Sequence, residues 1–306
     1  MAVIPCFRRK GSGEDDWILR HDSSADTGGS NASQTQSKLE RHLVQVLIIL
    51  AVVYVMIAVG VMVLQRRLIY FPTKMNSVLA RALAAKEGFR PWLNSSGELI
   101  GWNMASRGTA TGTVLVVHGN AGCALDRSYL VKPLHDAAPL DVYVLEYPGY
   151  GSRGGSPSQH SILAAAEQAF ALLPKQLPVY IVSESLGAGV AAHLAKVNGR
   201  DVSGLMFFAP YEKLASVGQR HMRFLPVSWL LWDRFEPSEW LKEYRGPAGF
   251  VLAGADQVIP PELGRRLYDS YRGPKRLQLV PGAGHNDVAT QSSDWWREAF
   301  SFWQHP

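Results

Sequence analysis

Three residues far apart in the chain, Ser185, Asp256 and His285, have the types and the order from which a reactive hydroxyl can be built. A serine attacks a carbonyl only when a base removes its proton, and an imidazole serves best as that base when a carboxylate fixes its tautomer. Ser185 lies in S-E-S-L-G, residues 183–187, directly after the apolar run 179–182 and before the small-residue stretch 188–196. Strand, sharp turn and helix form the setting of a nucleophile elbow, in which a strained backbone lifts the hydroxyl clear of a sheet. The usual pattern is G-x-S-x-G. Here Ser183 stands in place of the first glycine and is small enough to fit, while Gly187 keeps the second. Asp256 follows the apolar strand 250–253 in G-A-D-Q-V-I-P-P, and His285 follows the strand 277–280 in P-G-A-G-H-N-D.

Acyl transfer also needs two preorganised N–H donors for the negative oxygen of the tetrahedral intermediate, each worth about 3–4 kcal/mol. One is expected from Leu186, the residue after the serine. The strand run 113–117 ends in H-G-N-A-G, residues 118–122, and the second donor is expected there from Asn120, with Ala121 as the alternative. Every one of these residues follows an expected strand. They therefore collect at the carboxyl edge of a parallel sheet, where open α/β sheets hold their sites.

These motifs, with F-P at 71–72, Y-P-G-Y-G-S-R-G-G-S-P-S at 147–158 and G-A-G-H-N-D at 282–287, resemble those of the α/β-hydrolases from about Tyr70 onward. Within that superfamily the chain is similar to the membrane-bound, small-cap hydrolases of the serine aminopeptidase-like group. The resemblance implies the chain order Ser, Asp, His and a mainly parallel sheet covered by helices on both faces. It says little about substrate, because one fold hosts many chemistries.

The elements that must position the site can be read from pattern. Strands are expected at 99–104, 113–117, 142–145, 179–182, 204–208, 250–253 and 277–280, with helices between most of them, such as 158–173 and 261–271. Alternating β and α segments with apolar strands imply an α/β fold. A last helix over 294–303 brings Trp295, Trp296 and Trp303 to cover the sheet. The 306 residues are 47% hydrophobic and suffice for one sizeable core.

Residues 43–64 contain no charged side chain, and about 20 apolar residues span a bilayer. This segment is expected to be a transmembrane helix; it is too long and begins too deep in the chain for a secretory signal. It divides the chain into a polar, disordered tail (1–42), the span (43–64), a juxtamembrane connector (65–90) with a short helix at 76–86, and the hydrolase domain (91–306). Basic residues flank both sides: Lys38 and Arg41 before the span, Arg66 and Arg67 after it. The positive-inside rule leaves the orientation of this single-pass membrane protein balanced. The net charge of +5 is spread along the chain without a basic, aromatic-laced cluster, so nucleic acid is not an expected partner. Cys6 and Cys123 fall on opposite sides of the span, no histidine spacing fits a metal site, and no cofactor is expected.

The insertion 210–248, rich in Trp, Phe and Leu, occupies the position where this fold carries its cap. Its apolar residues suit either packing on the core or a groove for an acyl chain. The expected activity is cleavage of a carboxylic ester or thioester with a long acyl chain, in a lipid or an acylated protein, through an acyl-enzyme. The alternatives are a serine peptidase or amidase of the aminopeptidase-like group, and a non-catalytic membrane scaffold that retains the fold.

Overall fold

The computed structural model describes residues 28–306 apart from Lys175, and side chains from Thr35 onward. The chain divides between Ile57 and Ala58 into two units. The first, among the described residues, is the amino-terminal part of one helix.

That helix, α1, runs Gly28–Ile69. It is longer than the span 43–64 at both ends. Of the expected tail 1–42, residues 1–27 and Cys6 with them lie outside the described residues, and 28–42 is helical where disorder was expected. Gln, Lys, Leu, Glu and Arg between Gln34 and Arg41 are good helix formers, and they extend the apolar helix toward its start. At the other end the helix enters the expected connector as far as Ile69, its last turn carrying Arg66 and Arg67 where cations favour the helix dipole. The side chains of residues 43–57 are exposed, and by length and composition α1 is long and apolar enough to cross a membrane.

The second unit, Ala58–Pro306, holds an eight-stranded sheet. In chain order its strands are β1 (Arg90–Leu93), β2 (Leu99–Met104), β3 (Gly112–Val117), β4 (Leu140–Leu145), β5 (Val179–Glu184), β6 (Val202–Phe208), β7 (Ala248–Ala253) and β8 (Lys275–Val280). The spatial order is β1-β2-β4-β3-β5-β6-β7-β8, antiparallel at β1-β2 and β2-β4 and parallel thereafter. Every residue of β3, β5 and β7 is buried, as sheets covered on both faces require. β1 escaped the sequence reading because Pro91 breaks its pattern; it is an edge strand, where proline is tolerated.

Helices α3 (Ser128–Ala137) and α10 (Ser293–Gln304) pack against each other on one face of the sheet. There Trp296 and Trp303 are buried, and the indole of Trp303 stacks on Tyr180 of β5. α4 (Gln159–Ala171) and α5 (Gly187–Asn198) cover the other face, and α9 (Pro261–Ser270) lies on β7. Asn76 caps α2 (Ser77–Glu87) by accepting from the Leu79 N–H, and Gly88 ends it with a φ of 87°. The insertion between β6 and β7 folds as three short helices, α6 (Leu214–His221), α7 (Val227–Leu230) and α8 (Pro237–Trp240).

Candidate active site

The site grows from a reversal in strand order. From β3 the chain crosses to β4 on one side, then returns to β5 on the other, leaving a crevice at the carboxyl ends of β3 and β5. These two strands are direct neighbours, with Val117 opposite Ser183. The loop after β3 and the turn after β5 therefore lie side by side, and the H-G-N-A-G loop meets the elbow.

Ser185 is buried and has a φ of 54°, one of two non-glycine residues with positive φ among the described ones. Its N–H donates to the Phe208 carbonyl at 2.9 Å and its carbonyl accepts from Ala188 N–H at 2.9 Å, so both neighbours hold the strained turn. A Cβ at Gly187 would sit 2.2 Å from the Val117 carbonyl oxygen; only glycine lets the first turn of α5 lie against β3. Ser183 is fully buried, and its hydroxyl donates to the Met206 carbonyl at 3.0 Å.

The three sequence-expected residues meet. His285 Nδ1 lies 2.7 Å from Asp256 Oδ2, and His285 Nε2 lies 2.9 Å from Ser185 Oγ. A carboxylate only accepts, so the imidazole donates through Nδ1 and leaves Nε2 to accept the serine proton. The second oxygen of Asp256 accepts from the N–H groups of Val258 and Ile259, both at 2.8 Å, which fixes the carboxylate plane. Asp287 closes the His285 loop by accepting from the Gly284 N–H at 3.0 Å.

Asn120 and Leu186 flank Ser185 in the wall of one cavity, and their N–H groups have no hydrogen-bond acceptor among the described residues. The carbonyl of Asn120 accepts from Phe71 N–H at 2.9 Å and from the Tyr150 hydroxyl at 2.7 Å, and its side chain donates to the Ile69 carbonyl at 2.7 Å. The two-residue parallel pairing of Phe71–Pro72 with Ala121–Gly122 completes that clamp.

Arg127 ties the loop to the elbow, and no pattern in the sequence marked it. Its guanidinium makes a buried ion pair with Glu184, Nε to Oε2 at 2.9 Å, and donates through Nη2 to the Ala121 carbonyl at 2.8 Å. Glu184 precedes Ser185 and Ala121 follows Asn120, so one side chain spans the two expected oxyanion donors. Tyr129 donates to the same carboxylate at 2.9 Å. Behind the loop, burial holds the His118 imidazole well below its ordinary pKa, with the Arg127 charge adding to the effect. Burial likewise pushes the Glu146 carboxyl up to about 7, although it accepts from the Ala124 N–H at 3.0 Å.

The cavity above Ser185 has a volume of about 290 Å³ and is lined almost wholly by apolar groups. Its lining includes Leu214, Val217, Met222 and Leu230 of the cap and Val61, Met62 and Ile69 of α1. The cap's large side chains divide accordingly. Tyr211, Phe235 and Tyr244 are buried against the core, whereas Phe224, Trp229 and Trp232 are exposed. The sequence reading had set α1 apart from the site, and the structure brings its last turns into it. Asn94, the first residue of the glycosylation-type triplet Asn94-Ser95-Ser96, is buried, and its side chain closes the turn before β2 through Ser96 and Glu98.

The fold and this arrangement of side chains are those of an α/β hydrolase. Residues 114–250 match the model of the alpha/beta hydrolase family. The chain is 35% identical over 238 residues to an uncharacterized protein of Mycobacterium tuberculosis (strain H37Rv), covering 73% of this chain and 81% of that one. It is 27% identical over 216 residues to the lysophosphatidylserine lipase ABHD12 of Danio rerio, covering 62% of this chain and 56% of the relative. The solved structure of Est1E from Butyrivibrio proteoclasticus with ferulic acid superposes with a TM-score of 0.57 at 14% identity, over 69% of this chain and 98% of that one. The chain belongs to the alpha/beta hydrolase family.

Proposed function

We propose that the protein is a membrane-anchored serine hydrolase of the lipase/esterase type, acting on a carboxylic ester or thioester with a long acyl chain. The observation that carries this reading is the hydrogen-bonded chain Ser185–His285–Asp256, at 2.9 and 2.7 Å, at the base of an apolar cavity. The relatives support the lipid side of it, since one of them is named a lysophosphatidylserine lipase.

In this mechanism Ser185 Oγ attacks the acyl carbon as its proton passes to His285 Nε2. Asp256 stabilises the resulting imidazolium and holds its orientation. The carbonyl oxygen, now negative, accepts from the N–H groups of Asn120 and Leu186. When the intermediate collapses, the bond to the leaving oxygen or sulfur breaks and His285 returns its proton to that atom. Water then attacks the acyl-enzyme, loses a proton to His285, and the acid departs as Ser185 regains its hydrogen. The strained φ of Ser185 keeps the hydroxyl in position throughout. Among the residues that line the cavity none is acidic, so a peptide's free amino terminus finds no carboxylate there; this favours the ester over the peptidase reading.

The test is labelling of the full chain with a fluorophosphonate, followed by hydrolysis of aryl esters of increasing acyl length. Wild type is expected to label and Ser185→Ala to remain unlabelled, with turnover rising as the acyl chain lengthens. A folded wild type that neither labels nor turns over any ester is a scaffold, and the proposal ends there.

A further inference from the structure

In a hydrolase merely tethered to a membrane, the anchor and the active site share no residues. Here they share several. Val61 and Met62 belong to the uncharged stretch 43–64 and also line the cavity above Ser185. Gln65, Leu68 and Ile69 continue the same wall by one further turn.

This end of α1 is built into the cap. Gln65 is 4% exposed, an unusual place for a polar side chain beside a run of apolar residues. Its amide oxygen accepts from the Trp232 N–H at 2.7 Å, and its amide nitrogen donates to the Leu230 carbonyl at 3.2 Å and to Met62 of its own helix at 2.7 Å. One helical turn on, Tyr70 donates to Asp233 at 2.8 Å, and Arg66 pairs with the same carboxylate at 3.4 Å. The Ile69 carbonyl accepts from the Asn120 side chain, so the wall connects directly to the expected oxyanion loop. The turns of α1 from Val61 to Ile69 thus connect the end of the apolar stretch to the loop beside Ser185.

We infer that the active-site cavity opens into the lipid leaflet around α1, and that a lipid ester enters sideways from that leaflet with its acyl chain lying against Val61 and Met62. The inference rests on the hydrolase reading above and adds the source of the substrate and the element that selects it. The occupant follows from continuity. The wall beside Ser185 is an extension of a surface whose apolar length suits hydrocarbon, so an acyl chain passes from the leaflet to the cavity without crossing water. The exposed Trp232, whose backbone Gln65 holds, and the exposed Trp229 of the same cap have the amphipathic rings that favour a bilayer's interface.

Two measurements on the full chain test this. The first compares phosphatidylcholine vesicles that carry both protein and a long-chain lipid ester with mixtures of protein-bearing and ester-bearing vesicles. Entry from the leaflet gives hydrolysis at least about tenfold faster in shared vesicles, through the higher local concentration; equal rates overturn it. The second follows the ratio of long-chain to acetate ester turnover. Met62→Trp is expected to lower this ratio about tenfold by filling the wall, and Met62→Ala to shift the preferred chain to greater length. A ratio unmoved by both substitutions, in variants with wild-type thermal unfolding, removes α1 from the wall. Acetate turnover by wild type separates the two readings: if it persists while vesicle rates are equal, only the leaflet inference fails; if it and fluorophosphonate labelling are both absent, the hydrolase reading fails and this one with it.

Discussion

The two sides of Ser185 are built on opposite principles. Around the reacting groups and the loops that carry them, charged and polar groups are buried and paired: Arg127 with Glu184, Tyr150 with the Asn120 carbonyl, Asp256 with two N–H groups and His285. On the side of the cap and α1 the walls are apolar, and polar contacts such as those of Gln65 and Asp233 serve to hold those walls together. Directional bonds fix distances to tenths of an ångström, which proton transfer and oxyanion binding demand. Non-directional apolar contact accepts chains of many lengths and sets affinity by area. On the proposed function, one small domain sets a rigid reacting centre beside a tolerant binding surface.

The largest test of the rigid side is removal of its reacting groups. Ser185→Ala is expected to cost roughly 10⁴–10⁶-fold in kcat for an aryl ester, and Asp256→Asn on the order of 10⁴-fold through loss of the correct tautomer. Retention of most activity in either would move the chemistry elsewhere.

Arg127 tests whether buried pairing positions the two N–H donors. Arg127→Met leaves Glu184 buried without its partner, and is expected to cost about 3–5 kcal/mol in urea denaturation. It is also expected to lower kcat about 10²-fold with KM nearly unchanged. The double variant Arg127→Met/Glu184→Met separates the two effects, because stability should largely return while kcat stays low. Recovery of both would leave Arg127 a structural role only.

The cluster behind the loop is open to pH. The folded protein holds the Glu146 proton more tightly than the unfolded chain does. Its contribution to stability is therefore whole below about pH 4.5 and is lost as the pH rises toward about 7. His118 acts in the opposite sense: its folded pKa is depressed, so its contribution is present above its ordinary 6.5 and is lost on acidification. Relative to wild type, Glu146→Gln should gain about 3 kcal/mol between those two limits of the Glu146 titration, read by denaturation at a series of pH values. A constant difference would show that Glu146 stays ionised throughout.

The smallest effect is expected at Ser183. Ser183→Ala removes one buried hydrogen bond, worth about 1 kcal/mol, and should leave turnover within a few-fold of wild type. A loss as deep as that of Ser185→Ala would name the wrong serine as nucleophile.

Much of the rigid side was legible in the chain. Ser185, Asp256, His285 and the H-G-N-A-G loop each follow an apolar strand, and a β-strand followed by a tight turn is a local pattern that a sequence displays. Strands β3, β5, β7 and β8 were found on that basis to within two residues. β1 was not, because Pro91 disguises an edge strand as a loop. Arg127 and Glu184 carried no signal, since two charges in separate motifs read as solvated surface until tertiary packing excludes water from both. Gln65 looked like the start of a connector for the same reason: a lone amide after an apolar run gives no hint of the cap backbone that will bond it.

The sequence by itself determined the strand–turn–helix elements, the order of the reacting side chains and the apolar length of α1, because each depends on neighbours within a few positions. Tertiary structure alone decided that residues 185, 256 and 285 lie within hydrogen-bond reach, that Arg127 spans the loop and the elbow, and that the last turns of α1 line the cavity. Contacts across a hundred residues depend on which strands pair and on what the cap leaves uncovered, and those are properties of the assembled sheet.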